Sequence, residues 1–180
     1  MKKNFLVFIV AMLSIAACNN DKTPVSEDKK MSDEKMSSST EDKEERNKKT
    51  ALASIDGVNK HDADAVLKDA ASDMVDYGDQ DSPRAKGIDS TKAGLSNWLH
   101  AFPDVKGENL QAVADGDWVV VWGDWSGTFK NDFMGMKTTG KSYKIKDADI
   151  FKFNDDGKIT EHRSLSTQAA VMDQVMNKKK

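Results

Sequence analysis

Near Pro103 the hydrophobic pattern of this chain changes period, and that change limits the folds open to it. Upstream, apolar residues recur at helical spacing: Ala51, Leu52, Ile55 and Val58 share one face, and Leu95, Trp98, Leu99 and Phe102 follow i, i+3, i+4, i+7. Downstream the apolar residues alternate, as in strands with one buried face. Helices first and an antiparallel meander afterwards define an α+β domain, with the helices packed on one face of a curved sheet.

The element boundaries follow from local chemistry. Asn59-Lys60-His61-Asp62 breaks the first helix, and Asp62 can cap a short second one through Leu67. Met74 to Tyr77 reads as a short extended piece, and Gly78 to Lys86, with Pro83, as a polar loop. Asp89 or Ser90 caps a third helix that Pro103 ends. Strands are then expected at Asn109–Ala114, Trp118–Thr128, Lys141–Phe153 and Lys158–Ser166, with turns at Asp115-Gly116 and Asn154-Asp155-Asp156-Gly157. A loop with glycine and methionine, Asn131–Thr139, separates the second strand from the third, and Gln168–Met176 closes as a helix. The domain therefore spans 50–176, enough for one core, and 177–180 is a short basic tail.

Ahead of the domain the composition is different. Lys2 and Lys3 precede an apolar run from Phe5 to about Ile15, too short for an ordinary membrane span, and Ala16-Ala17 precede Cys18. Leu13-Ser14-Ile15-Ala16-Ala17-Cys18 resembles the lipobox of bacterial lipoproteins. The resemblance implies that 1–17 is a cleaved signal and that Cys18 becomes the acylated N-terminus, anchoring the chain to a bilayer in the cell envelope with its domain outside the cytoplasm. Cys18 is the only cysteine, so no disulfide can brace the fold. Residues 18–49 have no aromatic side chain and alternate in charge, which reads as a flexible tether, although its end from about Glu41 could extend the first helix.

The formal charge of −3 excludes a strong electrostatic draw toward nucleic acid. His61, His100 and His162 are scattered without metal-ligand spacing, so no metal is expected. No glycine-rich phosphate loop follows a strand, and no cofactor is expected.

Several short pieces in order, Asn59-Lys60-His61-Asp62, Ala101-Phe102-Pro103-Asp104, Ser126-Gly127-Thr128, Thr139-Gly140-Lys141 and Asp149-Ile150-Phe151-Lys152-Phe153…Asp156-Gly157-Lys158-Ile159…Glu161-His162, carry a resemblance. Together they resemble the SnoaL-like polyketide (ester) cyclases of the nuclear transport factor 2-like superfamily. The resemblance implies a cone-shaped half-barrel: a curved antiparallel sheet, helices on its concave face, an apolar cavity at the wide end, and often a homodimer through the sheet.

Candidate chemistry concentrates on the third strand, where Tyr143, Ile145, Asp147, Asp149, Phe151 and Phe153 share a face. A carboxylate among apolar neighbours loses hydration and gains proton affinity, which suits a base acting beside a carbonyl. Asp149 and Asp147 are thus the catalytic candidates. A two-residue turn in the last hairpin would pair Asp149 with His162. A turn using Gly157 in the left-handed conformation would instead place Phe153 opposite Ile159, Phe151 opposite Glu161, Asp149 opposite Arg163 and Asp147 opposite Leu165. The second register keeps the apolar residues together and is preferred, making Asp149–Arg163 a buried ion pair. Relative to the family, Arg163 stands at a tryptophan position and Ser164 or Thr167 where an acid is expected.

The remaining candidates are aromatic. Trp118 and Trp122 lie in phase on the second strand with Trp125 opposite; Trp98 and Phe133 can cover a cavity mouth, and Tyr77 can offer a hydroxyl. The expected ligand-binding set is Tyr77, Trp98, Trp118, Trp122, Phe133, Tyr143, His162 and Arg163. The leading expectation is a membrane-tethered domain binding a small, largely apolar molecule. The alternatives are a cyclase or isomerase with Asp149 or Asp147 as base, and a protein-interaction module.

Overall fold

The computed structural model describes residues 27–165 and 167–177. The expected signal and Cys18 lie outside the described residues. The elements are α1 (Glu27–Asn59), α2 (Ala63–Leu67), β1 (Ala70–Gly78), β2 (Ala85–Lys86), α3 (Ile88–Ala101), β3 (Lys106–Asp115), β4 (Trp118–Thr128), β5 (Ser142–Phe153), β6 (Ile159–Ser164) and α4 (Thr167–Met176).

The six strands form one curved sheet, ordered β2-β1-β6-β5-β4-β3 and not closed into a barrel. β3 to β6 make the expected antiparallel meander. β1 joins it beside β6 and runs parallel to it, so the sheet is mixed. Alternation in a sequence marks a strand's buried face but not the direction of its neighbour, so the parallel pair has no local signature. The core joins Ala51 and Ile55 of α1 and Leu99 of α3 to Val119 and Val121 of β4 and to Phe151 and Phe153 of β5. Phe102, wholly buried at the end of α3, stacks against Phe129 and meets Tyr143 edge-on, which fixes the helix to the sheet.

α1 begins well before the expected domain start. Lys43 pairs with Asp117 at 2.6 Å and Asp155 at 2.9 Å, and the Gly116 N–H donates to Glu44 Oε1 at 2.8 Å. One helical turn thereby ties down both hairpin turns of the meander. Asn47 is fully buried beneath it. The helix end of the supposed tether is part of the domain because its polar side chains cap turns; apolar periodicity does not report that role.

Two side-chain amides satisfy sheet backbone that lacks a strand neighbour on one side. The Asn59 side chain donates to the Gly107 carbonyl at 3.0 Å and accepts from its N–H at 2.7 Å, standing in for a neighbouring strand. β6 is shorter than β5, so Lys144, which faces Ser126 of β4 on one side, has no strand neighbour on the other, where the Gln174 amide of α4 bonds both its N–H and its carbonyl.

The last hairpin departs from the preferred register. Phe153 does face Ile159, but Lys152 then faces Glu161, Phe151 faces His162, Ile150 faces Arg163 and Asp149 faces Ser164. Thr160 is the extra residue of a β-bulge, its hydroxyl donating to the Lys152 carbonyl at 3.2 Å. Without the bulge, Glu161 and Arg163 would point into the core. With it, Glu161 pairs with Lys152 at 3.2 Å on the outer face, and His162 turns inward.

Candidate functional site

A cavity of about 310 Å³ lies between the helices and the inner face of the sheet. Most of its wall is apolar, with Ile55, Val66, Met74, Leu95, Trp98, Phe133 and Phe151 among the lining residues. At one region four charged or titratable side chains converge: Asp76 from β1, Arg84 from the segment before β2, Asp149 from β5 and His162 from β6. The parallel pairing sets Asp76 beside His162, and the bulge sets His162 diagonally from Asp149.

These groups form one chain of bonds. His162 Nδ1 lies 2.9 Å from Asp76 Oδ1 and Nε2 lies 3.1 Å from Asp149 Oδ1. Arg84 donates to Asp76 Oδ2 through Nε at 3.1 Å and Nη2 at 2.6 Å, and the Gly78 N–H donates to Asp76 Oδ1 at 3.0 Å. Both oxygens of Asp76 are therefore engaged, whereas Asp149, which also lines the cavity, meets His162 through Oδ1.

The electrostatics follow from burial and contact. Burial alone would raise Asp76, but His162 and Arg84 outweigh it and hold that carboxyl well below the usual carboxylate range. Burial would depress His162, yet hydrogen bonds to Asp149 and Asp76 and their charges raise it from 6.5 to about 9. Asp149 moves upward: burial raises it, His162 opposes, and the charges of Asp147 and Asp76 push it higher. At neutral pH the chain holds an imidazolium between an ionised Asp76 and a carboxyl whose proton affinity is enhanced.

Several candidates fall elsewhere. Arg163 is not the partner of Asp149; the bulge turns it to the other face, where its guanidinium stacks 3.5 Å over Tyr77. Tyr77 follows Asp76 on β1 and so points away from the cavity. Trp118 and Trp122 stand on the outer face of β4, 39% and 38% exposed, with Lys152 over the Trp118 ring. Trp125 shares the inward face with Val119 and Val121 and lines the cavity instead. The valines are the sign of the buried face that the pair of tryptophans obscured. Asp147 accepts from the Ala148 N–H at 2.9 Å and from the Thr167 hydroxyl, so it ties the start of α4 to β5. Trp98, Phe133, Tyr143, His162 and Asp149 line the cavity. Asp76 and Arg84 were not foreseen. Asp76 lies in phase with buried Met74, a signal already present in the short piece Met74–Tyr77, while Arg84 sits in a loop without periodicity.

Among the described residues, no group of three or more His, Cys, Asp and Glu side chains is arranged to hold a metal ion, and no helix is long and apolar enough to cross a membrane.

The raised pKa of His162 gives a signed prediction. A group whose pKa is higher folded than unfolded contributes stability that is complete below the unfolded value and disappears above the folded one. Urea unfolding should therefore show stability falling from about pH 6.5 to about pH 9, by at most roughly 3 kcal/mol, and His162→Gln should flatten that slope. A wild-type profile equally flat over this window would contradict the assignment.

Comparisons with known proteins agree with the geometry. The family model described as SnoaL-like polyketide cyclase matches residues 48–175. No curated protein matches the chain. Among solved structures, a SnoaL-like polyketide cyclase candidate from Jannaschia Sp. CCS1 is similar at TM-score 0.66 and 22% identity, covering 76% of this chain and 95% of that one. A polyketide cyclase candidate from Pseudomonas putida KT2440 has TM-score 0.64 and 17% identity, covering 72% and 97%. A protein of ketosteroid isomerase-like fold from Catenulispora acidiphila DSM 44928 has TM-score 0.59 and 13% identity, covering 72% and 93%. At these identities the structures speak for the fold, and the family model speaks for membership: the chain belongs to the SnoaL-like polyketide cyclase family.

Proposed function

We propose that this protein is a lipid-anchored acid–base enzyme that takes a small, largely apolar carbonyl compound into its cavity and removes a proton from the carbon beside the carbonyl. One observation carries the reading: Asp149 lies on the wall of an apolar cavity, its proton affinity raised by burial and its geometry fixed by His162. In the proposed step the second oxygen of Asp149 takes the proton, and the C–H electron pair becomes the enolate. The enolate carbon then either attacks a carbonyl within the same molecule or accepts the proton back at another position. His162, kept charged by Asp76, holds the other oxygen of Asp149 and serves as the neighbouring proton donor. Asp149 would thus supply the carboxylate that the end of β6 lacks, where Ser164 and Thr167 stand.

Binding without turnover is the second reading, favoured by the same imidazolium, because an ion-paired carboxylate is a weaker base. A cavity of about 310 Å³ weighs against an interaction module whose interior is filled by its own side chains. The envelope location rests on Lys2-Lys3, the apolar run and the single cysteine after Ala16-Ala17.

Two experiments test this account. In D₂O, a panel of enolisable aryl ketones should exchange the hydrogens beside the carbonyl in the presence of the protein, and Asp149→Asn should slow the exchange about 10²- to 10⁴-fold. Equal exchange by wild type and variant would leave only the binding reading. In a bacterial host the full chain should fractionate with membranes and Cys18→Ser should not; membrane retention of the variant would remove the lipid anchor from the account.

A further inference from the structure

Arg84 belongs both to the cavity wall and to the protein surface. It lines the cavity, yet 41% of its side chain stays accessible, so it marks a place where the cavity meets solvent. Long accessible side chains are ordinarily loose, and this one is pinned. Its backbone N–H donates to the Asp76 carbonyl at 2.8 Å, and Nε and Nη2 donate to Asp76 Oδ2 at 3.1 and 2.6 Å. The guanidinium also lies against Gly78, where even a methyl group would come within 2.9 Å of Cζ and Nη1. That glycine has φ +56°, a conformation that disfavours other residues, so the space is kept open.

The pinned guanidinium has donors to spare. Nη1 and the outer hydrogen of Nη2 meet no acceptor among the described residues. The surrounding charges suit an anion. Arg84 and His162 stand as two cations against the ionised Asp76, and burial opposes the charge on Asp149. Of the other acids in the segment before Arg84, Asp79 is turned to α4, where Oδ2 accepts from the Ala169 N–H at 3.0 Å, and Asp81 is exposed.

The sheet sets the distance from Arg84 to Asp149. β6 lies between β1 and β5, so two strand spacings, roughly 10 Å, separate the backbone of Asp76 from that of Asp149. Arg84 lies beyond Asp76, on the oxygen that His162 does not use. Arg84 and Asp149 therefore meet opposite ends of a ligand about as long as a substituted bicyclic ring.

We infer that Arg84 binds a carboxylate at the cavity mouth, so that the site takes an amphiphilic keto acid with its apolar body inside and its enolisable carbonyl at Asp149. This deepens the proposed reading of the cavity and rests on it. A carboxylate matches the paired N–H groups of a guanidinium edge. At a half-accessible position the anion also keeps part of the hydration that the apolar interior would remove.

Two probes of nearly equal shape test this, 6-acetyl-2-naphthoate and 6-acetyl-2-naphthamide, which differ in the charge at the end remote from the ketone. In calorimetric titrations at neutral pH and low salt the full chain should bind the carboxylate about tenfold more tightly, and added salt should erode the difference. Arg84→Gln should bind the two equally. On the wild type, the arginine Nε resonance that disappears in Arg84→Lys should shift with the carboxylate and stay in place with the amide, a readout that a purely structural role of Arg84 would not give. Asp149→Asn should keep the carboxylate preference while it slows exchange, so this inference and the reading of Asp149 as a base fail separately. Equal affinities in the wild type, no binding of either probe, or a preference that survives in Arg84→Gln overturns the inference.

Discussion

The extra residue at Thr160 decides what the interior of this protein contains. Side chains on a strand alternate, so one inserted residue reverses the facing of everything beyond it. Ile159 stays packed opposite Phe153, and three residues later the strand delivers His162 inward in place of Glu161. The bulge lets one strand satisfy two conflicting demands, an apolar residue at the hairpin base and an imidazole at the cavity. The outer face gains in the same motion, since Glu161 meets Lys152 and Arg163 finds the Tyr77 ring.

The inward imidazole would be costly alone, because burial opposes its charge. It is sustained by position: the parallel neighbour β1 supplies Asp76 on one side and β5 supplies Asp149 on the other. Arg84 completes the balance by engaging the second oxygen of Asp76. A buried polar network is favourable only when its members are all paired, and here the first three links are. Asp149 ends the chain, bonded to His162 through Oδ1, and its burial raises its proton affinity. The strong pairing of Asp76 lowers its proton affinity and the burial of Asp149 raises its own, so the two acids are driven apart.

Much of the architecture was legible in the sequence because it rests on periodicity. The helical face of Ala51, Leu52, Ile55 and Val58, the Asp62 cap, and the alternation of β4 and β5 all report burial directly, and Asp62 does accept from the Asp64 and Ala65 N–H groups. Asp149 was legible for the same reason. What escaped depends on partners distant in the chain. The direction of β1, the docking of Lys43 and Glu44 onto turns more than sixty residues away, and the contribution of Arg84 have no periodic signal. The bulge escaped because apolar matching at Phe153 and Ile159 was correct for that pair and wrong beyond it. Trp118 and Trp122 misled through size: the smaller, buried Val119 and Val121 marked the inner face.

Membership of a cyclase family fixes the scaffold without fixing the reacting group, because sites are grafted onto folds. The central claim is that His162, turned inward by the bulge, is a charged link between Asp76 and Asp149. The most direct measurement is a ¹⁵N NMR titration of the His162 ring. The account predicts that both ring nitrogens are protonated at neutral pH and that the ring titrates at about 9. A ring that titrates near 6.5, with one nitrogen unprotonated at pH 7.5, would contradict it.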